Sequence, residues 1–181
     1  MRLALKLHPD SRCNAVNRIE VEAVRARPAG LVLRYVVTGT IGKLHLPSVT
    51  APARADELWR HTCFEAFVRA LPLAAYHEFN FAPSTQWAAY RFSGYREGMT
   101  VASEIGTPRI DVQSNAESYR LEAALALNGV ASLPSDAVWR LGVSAVIEET
   151  SGALSYWALA HPAGRADFHH SDCFAHELSA A

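Results

Sequence analysis

Neither sign of charge dominates this sequence: 17 Lys plus Arg stand against 18 Asp plus Glu, for a formal net charge of -1. A nucleic-acid binder normally shows a basic excess, so none is expected as a partner. Apolar runs are short, far from the roughly 20 residues of a membrane span, and no membrane association is expected. The stretch from Met1 to Val16 is too weakly apolar for a signal peptide and carries Lys6 inside its apolar part. Cysteine is scarce and odd in number. Cys13, Cys63 and Cys173 lack CxxC spacing, which argues against a disulfide framework and makes the cytoplasm the expected location. Glycine-elbow, phosphate-loop and dinucleotide motifs are missing, and no catalytic residue stands out.

Half of the 181 residues are hydrophobic, enough for the core of one domain covering 1–181. Its last stretch, 161–181, is rich in histidine. Leu3, Leu5 and Leu7 alternate with polar or small residues as a first short strand. Val16 to Arg27 repeats Ile19, Val21 and Ala23 at period two, the spacing of a strand. Pro28-Ala29-Gly30 reads as a turn and Leu31 to Thr40 as a β-branched strand. These segments form a meander. Arg109 to Gln113, Tyr119 to Leu127, Trp139 to Glu148 and Leu154 to Ala160 follow as strands, the last two as a hairpin. Tyr119 to Leu127 is rich in helix-favouring Ala and Leu. Its period-two apolar set and the closing Asn128-Gly129 decide for strand. The chain is therefore expected to be all-β, a two-sheet antiparallel β-sandwich of jelly-roll or immunoglobulin-like type.

The densest chemistry lies in Asp56 to Arg69 (DELWRHTCFEAFVR) and Tyr76 to Gly94 (YHEFNFAPSTQWAAYRFSG). As a strand, Trp59 to Val68 places Trp59, His61, Cys63, Glu65 and Phe67 on one face. Tyr76, Glu78 and Asn80 share a face of the next strand, with His77, Phe79 and Phe81 opposite. After a turn at Ala82-Pro83-Ser84-Thr85, Trp87 to Phe92 forms a third strand. Neither of the first two segments alternates cleanly between apolar and polar, so both their faces should be covered.

The words LW-four residues-FEAFV and YHEFNFAPSTQWAAYRF, with the later VIEETSGALSYWALAHPAGRADFHHSDCF, resemble the DOMON-like domains. These are related to the family 9 carbohydrate-binding modules. The resemblance implies a sandwich that holds a sugar or haem on the concave face of one sheet. It also implies that Trp59, six residues before Glu65, stacks on a sugar ring while Glu65 bonds its hydroxyls. A late aromatic, with Trp157 as the candidate, would complete the clamp. Haem-binding relatives use Met and His as axial ligands, and this chain offers only Met1 and Met99.

The expected function is non-catalytic binding of a small ligand, a carbohydrate first. An aromatic face beside a few fixed polar groups is what a sugar site requires. The candidate ligand-binding residues are Trp59, Glu65, Arg91, Glu78, Asn80, Trp87, Trp157 and His61. Trp59, Trp87 and Trp157 also fit core positions, and Trp139 reads as core. Glu65 could instead form a buried ion pair with Arg60, Arg69 or Arg91. No cofactor is expected. The alternatives are a haem or zinc module, with His169, His170 and Cys173 as candidate ligands, and a protein-interaction domain. Two adjacent histidines on one regular strand point opposite ways, and Glu65 and Glu78 have no spacing that fixes them as a glycosidase pair.

Overall fold

Period-two apolar patterning folds here into thirteen strands among the residues that the computed structural model describes, 2–26 and 29–180. They are β1 (Arg2–Ala4), β2 (Lys6–Leu7), β3 (Val16–Ala26), β4 (Gly30–Gly39), β5 (Cys63–Ala70), β6 (Tyr76–Phe81), β7 (Trp87–Phe92), β8 (Thr100–Val101), β9 (Arg109–Ser114), β10 (Ser118–Ala126), β11 (Trp139–Glu148), β12 (Leu154–Ala158) and β13 (His176–Leu178). One sheet runs β1-β3-β4-β10-β9. The other runs β2-β12-β11-β5-β6-β7-β8, with β13 added along β11. Every strand pairing is antiparallel. The fold is thus the expected all-β sandwich of two antiparallel sheets.

The core lies between the sheets. Ile19, Val21, Leu31, Leu33, Tyr35 and Leu121 of the smaller sheet meet Phe64, Val68, Phe79, Phe81, Leu141 and Ile147 of the larger. The smaller sheet turns its other face to solvent and lines it with charge. Glu22, Arg34 and Glu122 sit opposite one another on β3, β4 and β10. The Arg34 guanidinium bonds Glu22 at 2.7 Å and Glu122 at 2.6 Å. Such cross-strand pairs and the buried Tyr119, Leu121, Ala123 and Leu125 hold β10 as a strand against its helix-favouring composition.

The larger sheet buries its outer face as well, which explains the missing alternation in β5 and β6. Phe67, Tyr76, Tyr90, Phe92 and Val146 on that face form a second apolar cluster with Phe168 and Phe174 of the histidine-rich segment. That segment crosses the sheet at Gly142. A Cβ there would lie 2.9 Å from the Cys173 carbonyl oxygen, so only glycine lets the backbones approach this closely.

Several elements depart from expectation. The strand expected from Trp59 begins only at Cys63. Leu58–Arg60 forms a 3-10 turn, entered through Glu57 in the left-handed region at φ 59. The first strand is two, split at Leu5: β1 joins the smaller sheet and β2 the larger. β8 and β13 were not anticipated, because two or three residues carry too little periodicity. Arg27, at the end of the third expected strand, and Pro28, of the turn after it, lie outside the described residues.

Candidate functional site

On the outer face of the larger sheet, alternation along the strands brings Glu65 of β5 opposite Asn80 of β6 and Ser144 of β11. One row further, Phe67 lies opposite Glu78. Around these residues opens a cavity of about 410 Å³. Glu65, Phe67, Glu78, Phe92, Val146 and Tyr156 of the sheet line it. The 3-10 turn contributes Trp59, the loop before β8 contributes Arg96 and Met99, and the C-terminal segment contributes Ala166, Phe168 and His169. Trp59 is 36% exposed, and its indole meets the Tyr90 ring edge-on at 6.1 Å between centroids.

The polar groups are tied down. Asn80 Nδ2 donates to Glu78 Oε1 at 2.7 Å. Ser144 Oγ donates to Glu65 Oε2 at 3.2 Å. Arg96 bonds Asp167 Oδ1 through Nε at 3.2 Å and Nη2 at 2.8 Å, and Tyr95 donates to the other Asp167 oxygen. These bonds lock the loop before β8 to the C-terminal segment. The backbone N–H of Arg96 donates to the Tyr76 hydroxyl at 3.2 Å. That hydroxyl in turn lies 2.8 Å from His169 Nδ1. With Tyr76 donating to Nδ1, the ring proton of neutral His169 resides on Nε2, 3.7 Å from Glu78 Oε2.

Burial reshapes the acidities. Desolvation pushes Glu65 well above the usual carboxylate range, the nearby Glu78 carboxylate adds to this, and the Ser144 bond only partly opposes it. Desolvation raises Glu78 to about 6, against the lowering influence of Asn80 and Arg96. His169 is lowered to about 4, first by desolvation and then by the Arg96 charge. Near neutral pH the cavity thus presents a neutral imidazole and an ionised Glu78, beside a Glu65 whose burial favours its protonated form. Such a wall can both donate and accept hydrogen bonds beside aromatic rings.

Of the residues singled out in the sequence, Trp59, Glu65 and Glu78 come together in this cavity. Asn80 is fully buried beneath it, oriented toward Glu78. The other three strand candidates face elsewhere. Trp87 and Trp157 belong to the inter-sheet core, and Trp157 donates to Ser155 Oγ at 3.1 Å. Arg91 projects from the same inner side of β7 as Trp87 and pairs with Glu104 at 3.7 Å. Period two along β7 and β12 places all three on the face opposite Glu65. Tyr156, one residue before Trp157, is the late aromatic that lines the cavity. His61 stands outside it, with Nδ1 2.8 Å from Glu148 Oε2.

The candidate metal ligands do not converge. His169 faces the cavity, and His170 Nδ1 accepts from the Asp172 N–H at 3.3 Å. Cys173 Sγ bonds the carbonyls of Ala160 and Asp167, both at 3.2 Å. Arg96, Met99, Phe92 and Phe168 were missed by the sequence reading. The first two lie in irregular chain and carry no periodic signal. Trp139 is core, with its Nε1 donating to the Pro134 carbonyl.

Fold and geometry together define a β-sandwich with an aromatic-walled cavity on the covered outer face of one sheet. The fold occurs in known structures. A Bacteroides uniformis protein proposed to bind carbohydrate superposes with a TM-score of 0.69 at 14% identity, covering 96% of this chain and 83% of that one. A family 9 carbohydrate-binding module from Caldicellulosiruptor kristjanssonii, in complex with cellotriose, superposes at 0.51 and 12% identity, covering 90% and 75%. At these identities the likeness is one of fold. No protein-family model and no curated protein matches the chain.

Proposed function

We propose that this chain is a carbohydrate-binding module that holds its ligand without transforming it. It would be related to the family 9 modules and, more finely, to the DOMON-like domains. The observation that carries this reading is the cavity itself, where aromatic rings stand beside two carboxyl groups held by hydrogen bonds. Trp59 would supply the stacking surface. Glu78 would accept from ligand hydroxyls, the His169 Nε2–H would donate to them, and Glu65 would bond a further hydroxyl. Asn80 acts through Glu78 and Ser144 through Glu65. The likeness in fold to a module in complex with cellotriose supports a sugar ligand. The three unpaired cysteines support a reducing compartment such as the cytoplasm.

A panel of mono- and oligosaccharides, screened by thermal shift and followed by calorimetric titration, tests the proposal. Saturable binding is expected, weakened at least about tenfold by Trp59→Ala, equivalent to about 1.4 kcal/mol. The half-exposed Trp59 contributes little to folding, so stability should change by no more than about 1 kcal/mol. A panel without any binder, or a sugar whose affinity survives Trp59→Ala, overturns the reading.

The haem alternative draws less support: of the two cavity residues that could serve as axial ligands, His169 and Met99, His169 has its Nε2 3.7 Å from Glu78 Oε2.

A further inference from the structure

Three side chains from separate stretches meet where β11 ends and β5 begins. His45 Nδ1 lies 2.9 Å and His61 Nδ1 2.8 Å from the same oxygen, Oε2 of Glu148. One ligand atom from each of the three residues falls within 4.8 Å of the other two. The main chain beneath them is closed into a ring. The N–H of His45 donates to the Glu148 carbonyl at 2.8 Å. Thr62 Oγ1 donates to the His45 carbonyl at 2.9 Å and accepts from the Glu148 N–H at 3.0 Å. The loop before the 3-10 turn, the start of β5 and the end of β11 are therefore fixed against each other before any ligand arrives.

We propose that His45, His61 and Glu148 form a binding site for a divalent cation of the zinc class. Two imidazole nitrogens with one carboxylate oxygen are a donor set that suits this class. Ligand atoms about 2 Å from a tetrahedral ion stand roughly 3.3 Å apart, a spacing within the range these atoms already span. The imidazoles are 52% and 62% exposed, so small rotations suffice to open the cluster around an ion. Each Nδ1 would then present its lone pair, with the ring proton on Nε2. A polar stitch between loop and sheet would need one histidine. Here two rings arrive at one oxygen, on a frame that holds all three residues in place. The three ligands leave a fourth position toward solvent for water. His61 directly follows the turn that carries Trp59, so an ion here would also pin that turn at the cavity mouth.

Untagged full-length protein titrated with Zn²⁺, and with Co²⁺ as a visible reporter, tests the site without reference to any sugar. One equivalent is expected to bind. At zinc about a hundredfold above Kd, Tm should rise on the order of 5 °C. His61→Ala and Glu148→Gln should each weaken binding at least about tenfold while circular dichroism shows the fold retained. His170→Ala should leave binding unchanged. Failure to bind at submillimolar zinc, binding that survives both ligand substitutions, or binding lost in His170→Ala instead overturns the proposal.

Discussion

Glu78 and His169 face each other at 3.7 Å, and burial displaces their proton affinities in opposite directions. A carboxyl raised from 4.5 to about 6 holds its proton more tightly in the folded chain than in the unfolded one. Its contribution to stability is therefore full below about 4.5 and is lost as pH rises through 6. An imidazole lowered from 6.5 to about 4 is harder to protonate when folded. Its contribution is full above 6.5 and is lost as pH falls toward 4. Between about 4.5 and 6 the two slopes oppose, each bounded by about 1.4 kcal/mol per pH unit. Replacing one partner should expose the other. The buried Glu65 is raised as well and adds its own falling slope to every profile, so the comparison is with the unaltered protein. Over pH 4.5 to 6.5 the urea-unfolding profile should tilt toward falling stability in His169→Asn and toward rising stability in Glu78→Gln. Parallel pH profiles for the two variants would refute this pairing. The carboxyl half of the arrangement was readable from period two in β5 and β6. The imidazole was not, because His169 reaches the cavity from an irregular stretch about ninety positions away in sequence.

Among the elements, the C-terminal segment determines whether the outer face of the larger sheet is a cavity or an open surface. It is held by the Arg96–Asp167 bonds, by Phe168 and Phe174 on the sheet, and by its passage over Gly142. Gly142→Ala places a methyl group 2.9 Å from the Cys173 carbonyl, and backbone rather than a pliable side chain must yield. The expected cost is about 1–3 kcal/mol, with faster amide exchange concentrated in residues 166–174. An unchanged exchange pattern there would show that the crossing carries no such constraint. The strands themselves were largely foreseeable from period two, even β10. The turn at Leu58–Arg60 was not, because its apolar and polar residues continue the alternation of β5 until Glu57 turns the chain into the left-handed region. Trp59 therefore reaches the cavity from a turn rather than from the strand.

At the scale of the whole molecule, two sheets are joined by few but specific ties. Glu149 Oε1, in the turn after β11, accepts from the N–H groups of Asn14 and Ala15 at 2.7 and 3.0 Å. This fastens the loop before β3 to the larger sheet. The number of layers was evident in the sequence from the succession of strands and turns. How the layers are laced together was not, because such ties depend on single side chains distant in sequence. The first strand is another tie. It changes sheets at Leu5, whose N–H bonds the Ile19 carbonyl of the smaller sheet at 2.9 Å, while His8 N–H bonds Tyr156 of the larger at 2.8 Å. These few residues thus shield the flank of β3 in one layer and of β12 in the other. A chain lacking residues 1–8 would leave two rows of unsatisfied peptide groups free to recruit strands from other copies. Size-exclusion chromatography should then show concentration-dependent self-association that the intact chain lacks, seeded from both layers at once.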